Sequence, residues 1–480
     1  MIRKLYTLIF ILCISLSNVS LVYSQREVGI PFEKKAAILL EFVAPYETMR
    51  VSFKERDLST NIYTEVRLPD DIVLKNKKGK PADPSSFLPG MEVLIDGEKT
   101  RSGFTFFEVR LQTTLKNWHV KLNGIYEKFE DPVATIDGRR VVLAKGASIK
   151  GTGPWKKKSF KSFDDMELGS FVEIEGSRDA DGLIRARKVK TWPNLFTKED
   201  KAIKAAINSG FQPPETLSGG RMQIGDTNFM LTRNLDLQAY VTELGYRLIP
   251  QWTDDLPEDD PTRVDYRFYV VKDPSFNASA FPDGTVIVHT GLLQTLANEA
   301  QLAAVLAHEI AHVTHKHGLR RFQEQNKLKK AKIGAGLLTK AISTVTGREV
   351  RAGNIEIGGF SIPVSLVAKL GEGALSNSFS RKRESQADRV GLFYMTEAGY
   401  DPREAATMWT LLAEKTANPQ AGLKEKALRK IASIYSSHPE AVKRARNINI
   451  EIAANYSSMD LSQLVTGAEN YERIRELVVK

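Results

Sequence analysis

The pattern of apolar and polar positions divides the chain into two regions. Between about residues 30 and 192, apolar and polar residues alternate with a period of two between turn dipeptides, which predicts β-strands. One of these dipeptides, Asp137-Gly138, is typical of a two-residue hairpin turn. Beyond residue 225 the pattern changes to that of an α+β region. It predicts a helix at 236–248, strands at 266–271 and 285–289, and mostly helices thereafter.

A weak internal repeat indicates how the β-region is organised. Residues 88–97 (LPGMEVLIDG) match residues 167–176 (ELGSFVEIEG), and the two glycines of each copy have the same spacing. This repeat is explained most simply by two small β-barrels or sandwiches in tandem. The predicted domains are a segment 1–24, β-domains at 25–116 and 117–192, a linker at 193–225, an α+β domain at 226–455 and a tail at 456–480.

The first 24 residues have the pattern of a signal peptide. Arg3 and Lys4 precede an uncharged, largely apolar stretch that ends before Gln25. The stretch approaches the length that spans a bilayer, so an uncleaved signal anchor is the alternative. Both interpretations predict an exported protein, and we expect it in the periplasm.

Composition narrows the classes of partner and of metal site. With 42% hydrophobic and 26% charged residues, the chain is not disordered throughout. The net charge of +10 weakly favours binding to an anionic lipid surface, so we include association with a membrane surface among the expected interactions. The single cysteine, Cys13, lies in the signal segment, so a metal site in the rest of the chain must use histidines and carboxylates.

One cationic, aromatic segment of the β-region is a candidate site for binding nucleic acid. Residues 155–160 (WKKKSF) combine three lysines with two aromatic rings. The alternative is a solvated lysine loop beside core aromatic side chains, and an exported protein meets little nucleic acid. We therefore expect no nucleic-acid partner. If the protein binds a partner protein, we expect the N-terminal β-domains to form the binding surface.

The candidate chemistry lies in residues 298–318 (NEAQLAAVLAHEIAHVTHKHG). This alanine-rich segment predicts a buried helix that begins at an Asn298/Gln301 cap pair. His308 and His312 are four residues apart on one helical face, so both imidazoles can reach one tetrahedral Zn²⁺. Glu309 lies beside the open coordination position and is the natural general base. The alternative is a chance pattern with two core histidines.

Two further histidines follow on the same segment. His315 is about 10 Å from His308 along a continued helix axis, too far to share that metal easily. His315 and His317 are therefore interpreted as groups at the helix end or behind the ligands.

A third ligand must come from another segment. Residues 378–388 (SFSRKRESQAD) place Glu384 and Asp388 on one helical face. Glu384 can then bind zinc while Asp388 accepts an imidazole N–H and fixes the tautomer of a ligand. Without the HEIAH motif, the pattern would indicate that Glu384 is a solvent-exposed carboxylate among basic residues.

Together, these motifs resemble a known family over residues 230–450. The set includes NASAFPDG at 277–284, TGLL at 290–293, HEIAH at 308–312, ESQAD at 384–388, GYDP at 399–402 and HP at 438–439. It is similar to the HtpX/BepA-like zinc metallopeptidases, kin of the CAAX prenyl proteases, and fits their exported, soluble branch. The resemblance implies a zincin-like α+β fold, mainly helical with a small sheet. It also implies one zinc per chain held by His308, His312 and Glu384, with Glu309 as base and Asp388 behind a ligand.

The resemblance extends to two further groups of residues. Family members carry a His-Pro followed by an Arg, here His438 and Arg444, either of which could stabilise a developing oxyanion. The alternatives are that Arg444 lies on a wet basic face, or that His438 coordinates zinc in a latent state. Residues 284–290 resemble the family's active-site edge strand, so Val286 and Val288 are expected to bind an extended substrate.

The predicted function is a zinc-dependent endopeptidase that hydrolyses peptide bonds of exported or envelope proteins, in protein quality control. The alternative is a latent or non-hydrolytic chaperone or assembly factor on the same zinc fold. The intact Glu309 argues against this alternative, whereas a lid over the open zinc position would be compatible with latency.

Overall fold

The computed structural model describes residues 29–479 with several gaps. The gaps are residues 44–46, 55–62, 114–117, 197–199, 202–203, 205–210, 225–226, 259, 261, 322, 325–353, 358–359, 364–378 and 418–440. The predicted signal segment and His438 lie outside the described residues, so both stay predictions. Within the described residues, no helix combines the length and the apolar character needed to cross a membrane.

The first β-domain is a six-stranded sheet whose strands pair in the order β3-β2-β1-β5-β6-β4. All neighbours are antiparallel except β4 and β6. The inward side chains form one apolar core that includes Leu39, Val51, Phe53 and Phe106. The strands are β1 (Ile30–Val43), β2 (Thr48–Phe53), β3 (Thr64–Arg67), β4 (Val73–Lys75), β5 (Glu92–Lys99) and β6 (Phe104–Leu111).

The second β-domain is a closed barrel. Its strands pair in the order β10-β9-β12-β11-β7-β8, and β8 also pairs with β9, which closes five of them into a ring. Only the β9/β12 pair is parallel. The strands are β7 (His119–Glu130), β8 (Val133–Ile136), β9 (Arg139–Gly151), β10 (Ser159–Phe160), β11 (Phe171–Arg178) and β12 (Ile184–Trp192).

The sequence repeat marks equivalent strands in the two β-domains. Its copies run into β5 and β11, each an inner strand followed by an antiparallel hairpin partner. The second glycine of each copy, Gly97 or Gly176, lies at a β-bulge. A Cβ at Gly97 would be 2.3 Å from Thr105 O, and one at Gly176 would be 2.2 Å from Arg185 O. Glycine at the bulge is therefore required by the close approach of the partner strand.

The basic segment at residues 155–160 folds as part of this barrel. Trp155 is buried and contacts Phe160 edge to face, with ring centroids 5.5 Å apart. The three lysines between them are exposed. The aromatic ring of Trp155 is therefore used in the core rather than presented for base stacking.

The rest of the chain contains small sheets and the helices. The strands are β13 (Phe211–Gln212), β14 (Arg221–Ile224), β15 (Thr227–Met230), β16 (Arg267–Val271), β17 (Ala278–Ala280), β18 (Thr285–His289), β19 (Asn354–Ile357) and β20 (Phe360–Pro363). The helices are α1 (Leu235–Arg247), α2 (Gln251–Asp254), α3 (Thr290–Thr295), α4 (Glu299–Thr314), α5 (Arg381–Glu397), α6 (Arg403–Ala417), α7 (Ala441–Asn455) and α8 (Ala468–Val479). The predicted helix at 236–248 and the strands at 266–271 and 285–289 are confirmed as α1, β16 and β18.

The stretch predicted as a linker is partly structured, so that boundary was wrong. Strands β13 and β14 lie within residues 193–225 and form a three-stranded sheet with β15. Met222 and Ile224 of β14 are buried in one apolar cluster with Tyr269 and Ile287 of the following domain. The domain therefore begins before residue 226, because its core needs these strands.

The predicted tail at 456–480 is also part of the core. Tyr471, on α8, is fully buried and its hydroxyl donates to Leu293 O at 2.9 Å. Ala300 N, at the start of α4, donates to Thr466 O at 3.0 Å. The segment after residue 455 thus covers the N-terminal end of the central helix and cannot be an appended tail.

The β-domains pack against the helical domain through polar contacts. Arg139 of β9 makes a two-pronged ion pair with Glu451 of α7, with N–O distances of 2.8 and 2.7 Å. Arg178 donates to Ala454 O at 2.6 Å, near the end of the same helix. Helix α7 is therefore one of the elements against which the second β-domain packs.

Candidate metal centre and active site

Helix α4 carries the HEIAH motif and is the central element of the domain. It begins as predicted, because the Asn298 side chain accepts from Gln301 N at 2.9 Å. The Gln301 side chain accepts from Ala297 N at 2.8 Å, which satisfies a second backbone donor at the cap. Nearly every residue of the helix is buried, so its histidines point into packed protein rather than into solvent.

Three predicted ligands meet beside this helix. The Nε2 atoms of His308 and His312 are 3.0 Å apart. Glu384 Oε2 lies 3.6 Å from His308 Nε2, and Glu384 Oε1 lies 3.8 Å from His312 Nε2. Ligands of a tetrahedral Zn²⁺ are separated by about 3.3 Å at ordinary bond lengths. The three buried side chains therefore fit one metal ion.

Glu384 reaches the histidines because α5 packs very closely on α4. A Cβ at Gly391 of α5 would lie 3.0 Å from His308 N and 3.2 Å from His308 Cα. A side chain at this position would require the helix backbones to shift by a few tenths of an ångström. Close packing at Gly391 thus sets the distance between the carboxylate ligand and the two imidazoles.

Asp388 lies one turn after Glu384 and contacts the first histidine ligand. Its Oδ1 is 3.1 Å from His308 Nδ1, so it accepts that N–H and leaves Nε2 for a metal. Burial and Arg444 lower the pKa of His308, but hydrogen bonds to Asp388 and Glu384 outweigh them and raise it to about 9. A bound metal ion would replace the proton that these carboxylates attract.

Arg444, on α7, is buried behind the ligands. Its Nε donates to Asp388 Oδ2 at 3.0 Å, its Nη2 donates to Asp388 Oδ1, and its Nη1 lies 3.0 Å from Glu384 Oε2. The guanidinium also covers the Trp409 ring at 3.6 Å from the centroid. The alternative that Arg444 lies on a wet basic face is wrong, because only 4% of the residue is exposed. Its catalytic role stays a prediction.

The second histidine ligand is held by His317. Helix α4 ends at Thr314, and Lys316 adopts a left-handed conformation with φ of 54°. This turn brings His317 back beside the helix, where its Nδ1 is 2.9 Å from His312 Nδ1. The Phe379 ring stacks on the other side of His312, at 4.1 Å between centroids. His317 thus lies behind a ligand because the helix does not continue.

The candidate general base faces the edge of the small sheet. Glu309 is 4% exposed, and its Oε2 accepts from Ala280 N of β17 at 2.8 Å. It follows His308 directly but is outside the group of three metal-binding side chains. The arrangement holds a carboxylate between the metal ligands and a strand edge.

Val286 and Val288 cannot bind substrate by strand addition, so that prediction is wrong. Their strand, β18, is the middle strand of the order β16-β18-β17, and both side chains are fully buried. Within the described residues, β17 has a strand partner on one side only. Asn277 O accepts from His289 N, and Phe281 N donates to Thr285 O, so these two positions face β18. The alternating pattern therefore directs the backbone groups of Ala278 and Ala280 away from β18.

Two residues of the site were missed from the sequence. Asp137, in the predicted hairpin turn, is fully buried against the end of α4, and its Oδ1 is 2.8 Å from His315 Nε2. Gln386 lies between the two carboxylates of α5 and contacts both His317 and Asp137. The dipeptide Asp137-Gly138 is fully explained by turn formation, so no sequence signal pointed to a second role.

Comparison with known proteins agrees with this geometry. The sequence profile of peptidase family M48 matches residues 238–452. Over these residues the chain is similar to peptidase family M48. The resemblance inferred from the motifs is thereby confirmed, and the M48 domain implies zinc as the metal of the three ligands.

Several curated proteins are similar to this chain over part of its length. A putative beta-barrel assembly-enhancing protease of Vibrio cholerae is 32% identical over 44% of this chain and 43% of its own length. The beta-barrel assembly-enhancing protease of Escherichia coli K12 is 28% identical over 43% of this chain and 40% of its own length. The mitochondrial metalloendopeptidase OMA1 of Schizosaccharomyces pombe is 32% identical over 38% of this chain and 45% of its own length. The chain spans less than half the length of these relatives.

Proposed function

We propose that the protein is a zinc-dependent endopeptidase that cleaves exported or envelope proteins in protein quality control. The observation that carries the proposal is the convergence of His308, His312 and Glu384 beside Glu309. The M48 match and the protease names of the relatives support the same activity. The predicted signal segment supports a periplasmic location, and the basic net charge supports membrane-surface association.

The side chains divide the work of peptide hydrolysis. His308, His312 and Glu384 would hold the zinc ion, which would supply a Lewis acid for the scissile carbonyl and for water. Glu309 accepts the proton of the attacking water and returns it to the leaving amine, which is the work of a general base and acid. The hydrogen bond from Ala280 N fixes the carboxylate of Glu309 for that transfer.

The edge of β17 is the proposed substrate platform. An extended peptide can add a strand there and bind through backbone hydrogen bonds. Its scissile bond would then lie beside Glu309, which already contacts this strand. Backbone pairing has little dependence on side chains, so we propose a loose sequence preference.

Ala278→Pro is expected to raise KM for unrelated peptides alike, by about five- to tenfold, the worth of one backbone hydrogen bond. Proline removes the N–H that points away from β18 while leaving the β17/β18 bonds intact. Steady-state kinetics on several unrelated fluorogenic peptides measures the effect. Ala278→Ser, which keeps the N–H, is the matched control. An increase restricted to one class of peptide would contradict strand addition.

The latent or non-hydrolytic chaperone remains the rival function. A binding protein would not need a carboxylate held beside the metal ligands, as Glu309 is. We therefore favour hydrolysis, with any chaperone activity dependent on the same cleft.

Metal removal separates the two functions. Dialysis against a strong chelator is expected to abolish cleavage of an unfolded substrate such as reduced casein, and stoichiometric zinc is expected to restore it. The measurement is peptide release by mass spectrometry, with protein aggregation followed in parallel. A protein that suppresses aggregation with zinc bound but releases no peptide would favour the chaperone.

A further inference from the structure

We propose that Asp137, in the hairpin of the second β-domain, is a positioning residue for the metal ligand His312. The inference rests on the proposed metal site and goes beyond it. The connection runs through Gln386 and His317, which belong to the peptidase domain. The second β-domain would then be part of the support of the active site.

The hairpin holds the Asp137 carboxylate rigidly. Asp137 and Gly138 have φ values of 47° and 72°, as a type I′ turn requires. Asp137 Oδ1 accepts from Ile125 N at 2.8 Å within its own barrel. A Cβ at Gly124 would lie 2.3 Å from Asp137 Cγ, so the absence of a side chain there makes room for the carboxylate.

The same carboxylate accepts three hydrogen bonds from the peptidase domain. His315 Nε2 donates to Oδ1 at 2.8 Å. Gln386 Nε2 and Arg389 Nη2 both donate to Oδ2 at 2.8 Å. With Ile125 N, four donors surround one buried anion, which leaves its orientation little freedom.

The hydrogen bonds from Asp137 to His312 have only one consistent direction. A His312 that binds metal through Nε2 carries its proton on Nδ1 and donates it to His317 Nδ1 at 2.9 Å. His317 must then carry its proton on Nε2, which donates to Gln386 Oε1 at 3.2 Å. Gln386 Nε2 finally donates to Asp137 Oδ2 at 2.8 Å. The anion at the end fixes the Gln386 amide and hence both tautomers.

The two imidazole ligands are thus supported in parallel ways. His308 donates directly to the buried carboxylate of Asp388. His312 reaches a buried carboxylate only through two intervening side chains, and that carboxylate comes from another domain. Groups that orient a ligand in this way are typically worth 10- to 100-fold in metal affinity.

Asp137→Asn is expected to weaken zinc binding by about 10- to 100-fold. The Asn oxygen would stay with Ile125 N and His315, so its NH₂ would face Gln386 and Arg389, which are donors. Gln386 would have to turn over, and the reversed relay would place two N–H groups between His317 and His312. Zinc affinity is measured by chelator competition on the full chain, and the visible spectrum of the cobalt-substituted protein reports the ligand geometry.

A second variant and a control separate positioning from docking. Gln386→Met interrupts the relay but leaves the contacts of Asp137 with His315 and Arg389, so it should weaken zinc binding to a similar extent. Glu451→Gln weakens the half-buried ion pair with Arg139 at the same domain contact without touching the relay. It is expected to lower the melting temperature while leaving zinc affinity within about twofold of wild type.

The outcomes distinguish this inference from the proposed function. Wild-type protein that binds no zinc would contradict the metal site itself. Wild-type protein that binds zinc, together with Gln386→Met of equal affinity and equal cobalt spectrum, would overturn the relay alone. Equal zinc loss in Glu451→Gln would also overturn it, because the effect would then come from domain docking.

Discussion

Glu309→Gln is expected to lower kcat for peptide hydrolysis by about 10²- to 10⁴-fold, the usual worth of a general base. Glutamine has the same shape, and its carbonyl oxygen can still accept from Ala280 N. It cannot accept the proton of the attacking water. Because Glu309 is outside the ligand group, zinc content is expected to stay stoichiometric.

The measurement pairs kinetics with elemental analysis of the same preparation. Glu397→Gln is the matched control, since Glu397 forms an exposed ion pair with Lys128 at the far end of α5. It should be active, because exposed pairs contribute little. Zinc loss in Glu309→Gln would contradict the assignment of Glu309 as base, and full activity would remove it from the mechanism. The inactive variant also serves as a trap to identify bound substrates.

Arg444→Met is expected to weaken zinc binding and lower activity together. Removing the guanidinium takes away the hydrogen bonds and ion pairs that position the buried carboxylates of Glu384 and Asp388. Breaking a buried ion pair on one side typically costs about 3–5 kcal/mol. The methionine side chain keeps the apolar contact with Trp409. Arg446→Met is the control, because Arg446 lies on the same helix and donates to Phe53 O instead.

Zinc titration distinguishes the two roles of Arg444. We propose that it positions the carboxylates, so saturating zinc should restore most of the activity of Arg444→Met. The oxyanion role predicts unchanged zinc affinity and a kcat about 10²- to 10³-fold lower at any zinc concentration. That second outcome would contradict positioning and support the catalytic role. The parallel prediction for His438 stays open, since that residue lies outside the described part of the chain.

The central helix and its ligands could be predicted because their signals are local. The Asn298/Gln301 cap, the spacing of His308 and His312, and the face shared by Glu384 and Asp388 all follow from one helical period. The structure brings these side chains together where the motif expects them. The repeat in the β-region could also be detected in the sequence, because both copies need glycine at a bulge.

What the sequence did not predict depends on pairing between distant segments. The apolar sequence of residues 285–289 is compatible with either an edge strand or a central strand. Strand β17 has only three residues, two of them alanine, so the sequence did not predict a strand beside β18. No sequence pattern in residues 456–480 predicted that this segment packs over the start of α4. The contact of Asp137 with His315 joins residues 178 positions apart, and neither local sequence requires it.

The proposed metal centre of His308, His312 and Glu384 is tested by the zinc content of the purified full chain. After dialysis against metal-free buffer, the wild-type protein is expected to retain one zinc per chain, as three protein ligands predict. Glu384→Ala, measured beside it and shown to be folded by circular dichroism, is expected to retain little or none. Wild-type protein that binds no zinc, or a Glu384→Ala variant that holds it as tightly as wild type, would contradict a zinc site built from these three side chains.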